Sequence, residues 1–249
     1  MLKALVATVM ISQTAGPLGA QSLAQRIGAV ASGTVRLSFA AREGVCSWSG
    51  DRISIGESTD EWQPDCGPRL VRVALHLEDH RVQAVRPYVG GRWVPDAAAV
   101  NLGTVSSPEA GRYFIDLAKS GGAGASDEDL LLPAVLADSI TVWPSLVKIA
   151  RSSGASEELR GRAVFWLGQA ASEAAGLALD SIASDDHGDR EVRKQAIFAL
   201  SQRSTNEAVP ALMRIARSNA DPELRRTALF WLGQSEDPRA VTLFEEILK

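Results

Sequence analysis

The stretch ELRGRAVFWLGQ at residues 158–169 recurs twice in the chain, as EVRKQAIFALSQ at residues 191–202 and as ELRRTALFWLGQ at residues 223–234. An Ile-Ala pair precedes each copy at nearly the same distance. Self-similarity at this period is typical of stacked repeats. The sequence therefore predicts that neighbouring units bury a continuous core between them, rather than folding around one pocket.

Each copy places apolar residues at the spacing of one buried helical face. The segment before each copy shows the same spacing, so every unit is predicted to be a pair of amphipathic helices. Two short helices of this kind cannot bury their apolar faces alone, and the units must stack. The predicted stripe consists of Leu159, Ala163, Trp166 and Leu167 in the first copy and of Leu224, Ala228, Trp231 and Leu232 in the third.

The repeats resemble the HEAT-repeat family, in the short bacterial form also called PBS-lyase-like HEAT repeats. The resemblance covers residues 127–249 and rests on a Leu-Arg-x-x-Ala-x-x-x-Leu-Gly-like core in each second helix and a Pro-x-Leu core in the first. It implies an α-solenoid of helix pairs. The family contains scaffolds, adaptors, bilin lyases and a di-iron hydroxylase. The hydroxylase needs His-Glu pairs for its metal, and this sequence contains none.

The chain before the repeats has a different pattern. Apolar and polar residues alternate over 33–42 and 70–77, and Glu78-Asp79-His80 indicates a turn into a further strand. We expect a small antiparallel β domain at 31–105 followed by a capped helix and a Gly-rich joint at 106–126. With the repeats at 127–249, the predicted fold class is α+β multidomain: a small antiparallel β domain and then an α-solenoid of HEAT-like helix pairs.

The first 24 residues have the layout of a cleavable secretory signal. Lys3 precedes a short apolar run, and the small residue before the cleavage site is Ala20 or Ala24. The interpretation is export to the periplasm or the extracellular space, with a mature chain that starts at Gln21 or Gln25. The alternative is an amphipathic N-terminal helix of a cytosolic protein. No apolar run is long enough to span a bilayer.

The chain has two cysteines, Cys46 and Cys66, both before the repeats. In an exported domain such a pair most simply forms a disulfide. The alternatives are a metal site or a reactive thiol. Neither cysteine has a further Cys or His at close spacing, and no Cys-x-x-Cys motif occurs.

The charge pattern argues against nucleic acid as a partner. Neither the β domain nor the repeats carry the basic stripe that a phosphate backbone or an anionic membrane requires, and the whole chain has a formal net charge of −4.

Three segments resemble catalytic or metal motifs, and each has a structural alternative. His76 and His80 straddle the predicted turn, residues 120–126 lack the Gly-Lys-Ser/Thr of a phosphate loop, and Asp185–Asp189 lacks the ligand order of an EF-hand. A turn, a hinge and an inter-helix loop are the favoured interpretations. We predict no catalytic residue, no metal and no cofactor.

A ridge beside the apolar stripe of each second helix is the candidate binding site. Stacking would align its three Phe and three Gln side chains in parallel rows. The rows either pack between repeats, with each Gln tying a helix end to the next repeat, or form a binding strip on the concave side. The ridge residues are Arg162, Phe165, Gln169, Gln195, Phe198, Gln202, Thr227, Phe230 and Gln234.

Two classes of function follow. The first is an exported, non-catalytic interaction scaffold that binds a protein or peptide along the array. The second is an enzyme or chromophore-lyase-like protein with a ligand pocket formed with the β domain. The absence of an acid–base or metal motif in the sequence favours the first class. The whole pattern is similar to uncharacterised bacterial exported HEAT-repeat proteins, a resemblance that implies no specific activity.

Overall fold

The computed structural model describes residues 21–48, 52–55, 69–121, 127–170 and 172–247. These residues form a small β-sheet unit followed by a series of helices. The strands are β1 (Gly33–Ala40), β2 (Val45–Trp48), β3 (Arg52–Ile55), β4 (Leu70–Glu78), β5 (Arg81–Val89) and β6 (Val100–Thr104). The helices are α1 (Leu23–Gly28), α2 (Ser107–Lys119), α3 (Asp127–Leu136), α4 (Trp143–Ala150), α5 (Glu157–Gly168), α6 (Glu173–Ala183), α7 (Arg190–Ser201), α8 (Thr205–Ser218), α9 (Pro222–Gly233) and α10 (Pro238–Ile247).

The main sheet has the strand order β5-β4-β1-β6, and β2 and β3 form a separate antiparallel pair. Strand β4 is antiparallel to both β5 and β1. The alternation in the sequence arises because one face of the sheet is buried: Val35, Leu37 and Phe39 of β1 are inaccessible to solvent. Helices α2 and α3 pack on this unit, and the Phe39 ring lies 6.5 Å from that of Phe114 on α2.

Strand β6 makes the sheet mixed, whereas the sequence predicted antiparallel pairing alone. It pairs with β1 in parallel, with a register shift between Arg36 and Ser38. A parallel neighbour requires a crossover connection. Residues 90–99 provide it, and Arg36 on the outward face of β1 holds this connection by donating from Nη1 to the carbonyl oxygen of Val94 at 2.8 Å. The predicted class, a small sheet followed by a helical solenoid, is confirmed.

The helices from α4 onward form pairs that stack on one another. The second helices α5, α7 and α9 pack side by side in one layer, while α4, α6 and α8 contact each other less closely. The predicted stripe is buried at Leu159, Ala163 and Leu167. Trp166 lies at its edge and is partly buried, because Val164 points inward as the fourth buried residue of α5.

Capping residues also join successive repeats. Asp189 and Asp221 accept hydrogen bonds from the first backbone amides of α7 and α9. Each also pairs with an arginine of the preceding second helix: Arg160 Nη2 lies 3.2 Å from Asp189, and Arg190 Nε lies 2.8 Å from Asp221. Each carboxylate therefore caps the N-terminus of one helix and also binds the neighbouring repeat.

Several sequence predictions fall outside the described residues. The secretory signal lies there except for its last residues, since the description starts at Gln21, and most of the Gly-rich joint and Cys66 also lie outside. Cys46 itself is buried. The signal and the Cys46–Cys66 disulfide stay predictions.

Candidate functional site

The three ridge phenylalanines are exposed on the layer of second helices. Phe165 and Phe198 are each 41% accessible to solvent, and Phe230 is 59% accessible. A large aromatic side chain usually contributes to a core, so three exposed rings at equivalent positions are unusual. They lie beside the buried stripe, at its solvent edge.

An open groove of about 450 Å³ lies between α5 and α7. Six of the nine ridge residues line it, while the other three, Thr227, Phe230 and Gln234, belong to α9 and do not. The lining residues are Glu158, Gly161, Arg162, Phe165, Gly168, Gln169, Gln195, Phe198, Ala199 and Gln202.

Small residues form the floor of the groove. A side-chain carbon on Gly168 would lie 3.0 Å from the Cβ of Ala199, and one on Gly161 would clash with the amide of Gln195. The two glycines therefore let α5 and α7 approach closely. The groove lies above this close contact, with Phe165 of α5 and Phe198 of α7 among its lining residues.

The next seam, between α7 and α9, is closed. Trp231 occupies the position on α9 that Ala199 occupies on α7, and its ring centroid lies 5.0 Å from that of Phe198. Lys194 stands where α5 has Gly161, and its ammonium group forms ion pairs with Glu191 and Glu223. The hydrogen bond with Glu223 raises the pKa of Lys194 and lowers that of Glu223. An aromatic ring and an ion-pair cluster thus fill the space that is empty between α5 and α7.

The charged and amide groups of the groove stand around the aromatic pair. The guanidinium carbon of Arg162 lies 5.8 Å from the Phe165 ring centroid. Gln169 and Gln202 are the C-cap residues of their helices, so their side chains stand at the end of the groove. Each amide provides both a donor and an acceptor.

The tie of each ridge Gln to the next repeat stays a prediction, and Gln202 has a partner within its own helix. Gln202 Nε2 donates to Ser201 Oγ at 3.1 Å. Arg203, which is outside the predicted ridge, does make hydrogen bonds to the preceding repeat. Its Nη1 donates to the carbonyl oxygen of Ala170 at 2.7 Å and its Nη2 donates to that of Ser172 at 3.1 Å. Only the fold brings Arg203 to that loop, so its position in the sequence gave no signal.

The acidic loop at residues 185–189 uses its carboxylates structurally. Asp185 accepts from the backbone of His187, Asp186 pairs with Arg193 at 3.1 Å, and Asp189 caps α7. Arg193 is 5% accessible and also donates to the Ala183 carbonyl oxygen at 3.2 Å. The loop therefore stabilises the join between α6 and α7. Within the described ranges, no group of three His, Cys, Asp or Glu side chains is arranged to hold a metal ion.

The histidine pair of the β unit lies at the predicted turn, with His76 in strand β4 and His80 in the turn itself. Asp79 and His80 have positive φ angles, as a tight hairpin turn requires. His80 Nδ1 lies 2.9 Å from the Gly28 carbonyl oxygen, and His76 Nε2 lies 3.6 Å from Glu78. Each histidine thus has its own partner, and the two are not directed to one site.

Comparison with known proteins identifies the array. The family model of HEAT repeats matches residues 144–229 and again residues 178–249. Residues 144–249 therefore match HEAT repeats, which supports the assignment of this part of the chain to the HEAT-repeat family. HEAT repeats commonly mediate protein interactions and are typically non-catalytic. A search of curated proteins gave no match. Among the described residues, every helix is too short or too polar to cross a membrane.

Proposed function

We propose that this chain is an exported, non-catalytic interaction module whose α5–α7 groove binds an extended segment of a partner protein. One observation supports the proposal above the others: an open groove with two exposed phenylalanine walls lies in an array whose next seam is filled. A side chain that serves only to pack repeats together would be covered, as an aromatic ring in a seam normally is. Phe165 is instead left 41% accessible.

The groove has the chemistry to bind a peptide. Phe165 and Phe198 offer apolar walls for a side chain of the partner, and aromatic anchors of this kind supply much of the energy of protein interfaces. Gln169, Gln195 and Gln202 can donate to and accept from peptide groups. The closer packing of the second helices supports the proposal that this layer is the inner side of a curved array, the side on which repeat proteins hold their partners.

The non-catalytic part of the proposal is supported by the uses of the chain's acidic side chains. Those that resembled a metal motif cap helices or pair with arginines. Export is supported by the layout of the first residues alone. A coloured or metal-bearing preparation of the protein would favour the enzyme or chromophore-lyase alternative instead.

A random-peptide library selected on the full chain tests the groove. Peptides that bind should lose affinity at least about tenfold with Ala199→Trp, which places in this seam the ring that closes the next one. Phe165→Ser should weaken them similarly. Phe230→Ser is the matched control, since it removes an exposed ridge ring outside the groove, and it should leave the affinity unchanged. Peptides that bind Ala199→Trp as tightly as the parent chain would exclude the groove as the site.

A further inference from the structure

A second cavity lies on the outward face of the β-sheet, in the part of the chain that precedes the array. It has a volume of about 460 Å³ and forms where the 90–99 crossover passes over β1, β4 and the end of β5. Its lining includes Arg36, Arg69, Arg72 and Arg92 together with Tyr88 and Trp93. Four guanidinium groups around one cavity are a dense positive charge for a chain with a net charge of −4.

The strand register explains why two of these arginines meet. Alternate residues of a strand point to the same face. Ser38 is opposite Arg72, so Arg36 and Arg72 lie on neighbouring strands and share the outward face. Arg72 is in turn opposite Tyr88. Arg72 Nη1 donates to the Gly90 carbonyl oxygen at 2.8 Å, which fixes its guanidinium beside the crossover.

The aromatic residues hold the cavity's shape. The guanidinium of Arg36 lies over the Trp93 ring, 4.9 Å from its centroid, and the Tyr88 and Trp93 rings meet edge to face at 5.9 Å. Gly90 matters here because a side-chain carbon at this position would lie 2.8 Å from Nη1 of Arg69. The positive φ of Gly90 and the lack of a side chain let the turn and this arginine lie together.

Among the described residues, the guanidinium groups of Arg72 and Arg92 have no acidic partner. No acidic residue is among the lining side chains that the structure describes. Asp96 pairs with Arg36 at 3.6 Å from outside the cavity, and Arg36 Nε is buried without a hydrogen-bond partner in the same part of the chain. Guanidinium groups present a planar set of donors that matches carboxylate and phosphate oxygens. The cavity also has an exposed apolar side chain at its rim, since Val94 is 75% accessible to solvent.

We propose that this cavity binds a small organic oxyanion, in which a carboxylate or phosphate is joined to a flat apolar group. The oxyanion lies between Arg72 and Arg92, and the apolar group contacts Trp93 and Val94. The volume is in the range of small-molecule sites. The proposal concerns the β unit and is independent of peptide binding by the array.

Titration of the full chain with benzoate and phenyl phosphate tests the proposal, and each oxyanion is compared with benzamide, which has the same ring without the charge. The readout is the indole N–H signal of Trp93 in nitrogen-15 NMR, assigned with Trp93→Phe. We expect at least one oxyanion to shift this signal with a Kd on the order of 1 mM or below at low salt, and benzamide to leave it unmoved. The preferred oxyanion identifies the head group.

Matched charge variants separate the cavity from general attraction. Arg92→Gln and Arg72→Gln should each weaken binding about tenfold or more, because each removes a charge-assisted donor. Arg86→Gln removes the same charge from β5 but does not line the cavity, and it should change the affinity by less than about twofold. Arg92 is exposed, so its variant should fold normally. An unmoved Trp93 signal, or equal losses in all three variants, would overturn the proposal.

Discussion

The Phe198 ring lies against the Trp231 ring, with centroids 5.0 Å apart and planes inclined by 50°. This contact crosses from α7 to α9 and closes the seam between two repeats. Phe198 therefore packs between two repeats on one side and lines the α5–α7 groove on the other. The groove exists because Ala199 stands where the next repeat has Trp231.

Phe198→Ala should lower the free energy of unfolding more than Phe230→Ala. The first substitution removes an aromatic contact between repeats and should cost about 2 kcal/mol. Phe230 is 59% accessible and meets Trp231 only as its neighbour on the same helix, so its loss should cost about 0.5 kcal/mol. Urea unfolding measures both. Equal losses would mean that the Phe198–Trp231 contact contributes nothing beyond ordinary surface packing.

Arg193→Ala should destabilise the array by about 2–3 kcal/mol, because it leaves buried acceptors without their donor. Arg193 donates to Asn219 Oδ1 at 3.2 Å as well as to Ala183 and Asp186. Arg193→Lys should rescue only part of the loss, since an ammonium group cannot reproduce the forked geometry. Arg217→Ala is the control: it removes an exposed ion pair with Glu246 and should cost about 0.5 kcal/mol or less. Similar melting curves for Arg193→Ala and Arg217→Ala would contradict this role.

The regular parts of the fold could be predicted from the sequence because they depend on spacing. The period of the repeats and the alternation in β1 and β4 each follow from which residues must be buried. The parallel pairing of β6 was missed because it depends on a long crossover and on a short strand, 100–104, whose exposed residues show no alternation.

The ridge was predictable as a row of Phe and Gln residues, but the groove was not. Whether a row packs or stays open depends on the residue across the seam, and that residue is Ala199 in one case and Trp231 in the other. The arginine cavity was equally hidden, because Arg36, Arg72 and Arg92 are far apart in the chain. Their meeting follows from strand register, which the sequence specifies only indirectly.

Tyr113 should ionise late in an alkaline titration. Burial raises the pKa of its phenol to about 12. The chain has two tyrosines, Tyr88 and Tyr113, so ultraviolet absorbance of the phenolate can separate them. Tyr113→Phe should remove the step near pH 12. Loss of a step near pH 10 instead of near pH 12 in Tyr113→Phe would contradict the burial of this phenol.

The raised pKa of Tyr113 also predicts the direction in which stability changes with pH. The pKa is higher in the folded chain than the value of about 10 in the unfolded chain, so the folded state holds the proton more tightly. Stability from this group is complete below about pH 10 and falls as the pH rises toward 12. Tyr113→Phe should therefore show a weaker alkaline loss of stability over that range.

Removing the β unit should expose helix α3. Leu130, Leu131 and Leu136 of this helix are buried, and it contacts α2, β4 and β5 as well as α5. A fragment of residues 126–249 should be helical but self-associate, whereas residues 141–249, without α3, should stay monomeric and melt cooperatively. Analytical ultracentrifugation and circular dichroism measure the two properties. A monomeric, stable 126–249 fragment would show that the sheet and α2 do not cover this helix in solution.

If the leader is cleaved, the mature chain should begin at Gln21 and not at Gln25. Leu23 is buried, its backbone amide donates to Glu109 Oε1 at 2.8 Å, and Ser22 with Gln25 forms a capping box at the start of α1. A cut after Ala24 would remove Leu23 and Ser22 from the fold, whereas a cut after Ala20 keeps both. The intact mass of secreted protein distinguishes the two products, and a thiol count on the same sample tests the Cys46–Cys66 disulfide.

Two substitutions make the test of cleavage specific. Signal peptidases require a small residue before the cut, so Ala20→Leu should block processing while Ala24→Leu should not. Ala24 is exposed on α1, and leucine there should be tolerated by the folded chain. The reverse result, with Ala24→Leu blocking processing, would mean that α1 is lost on export and that the buried site of Leu23 is left empty. Secreted protein that retains residues 1–20 would contradict the leader itself, and two free thiols would contradict the disulfide.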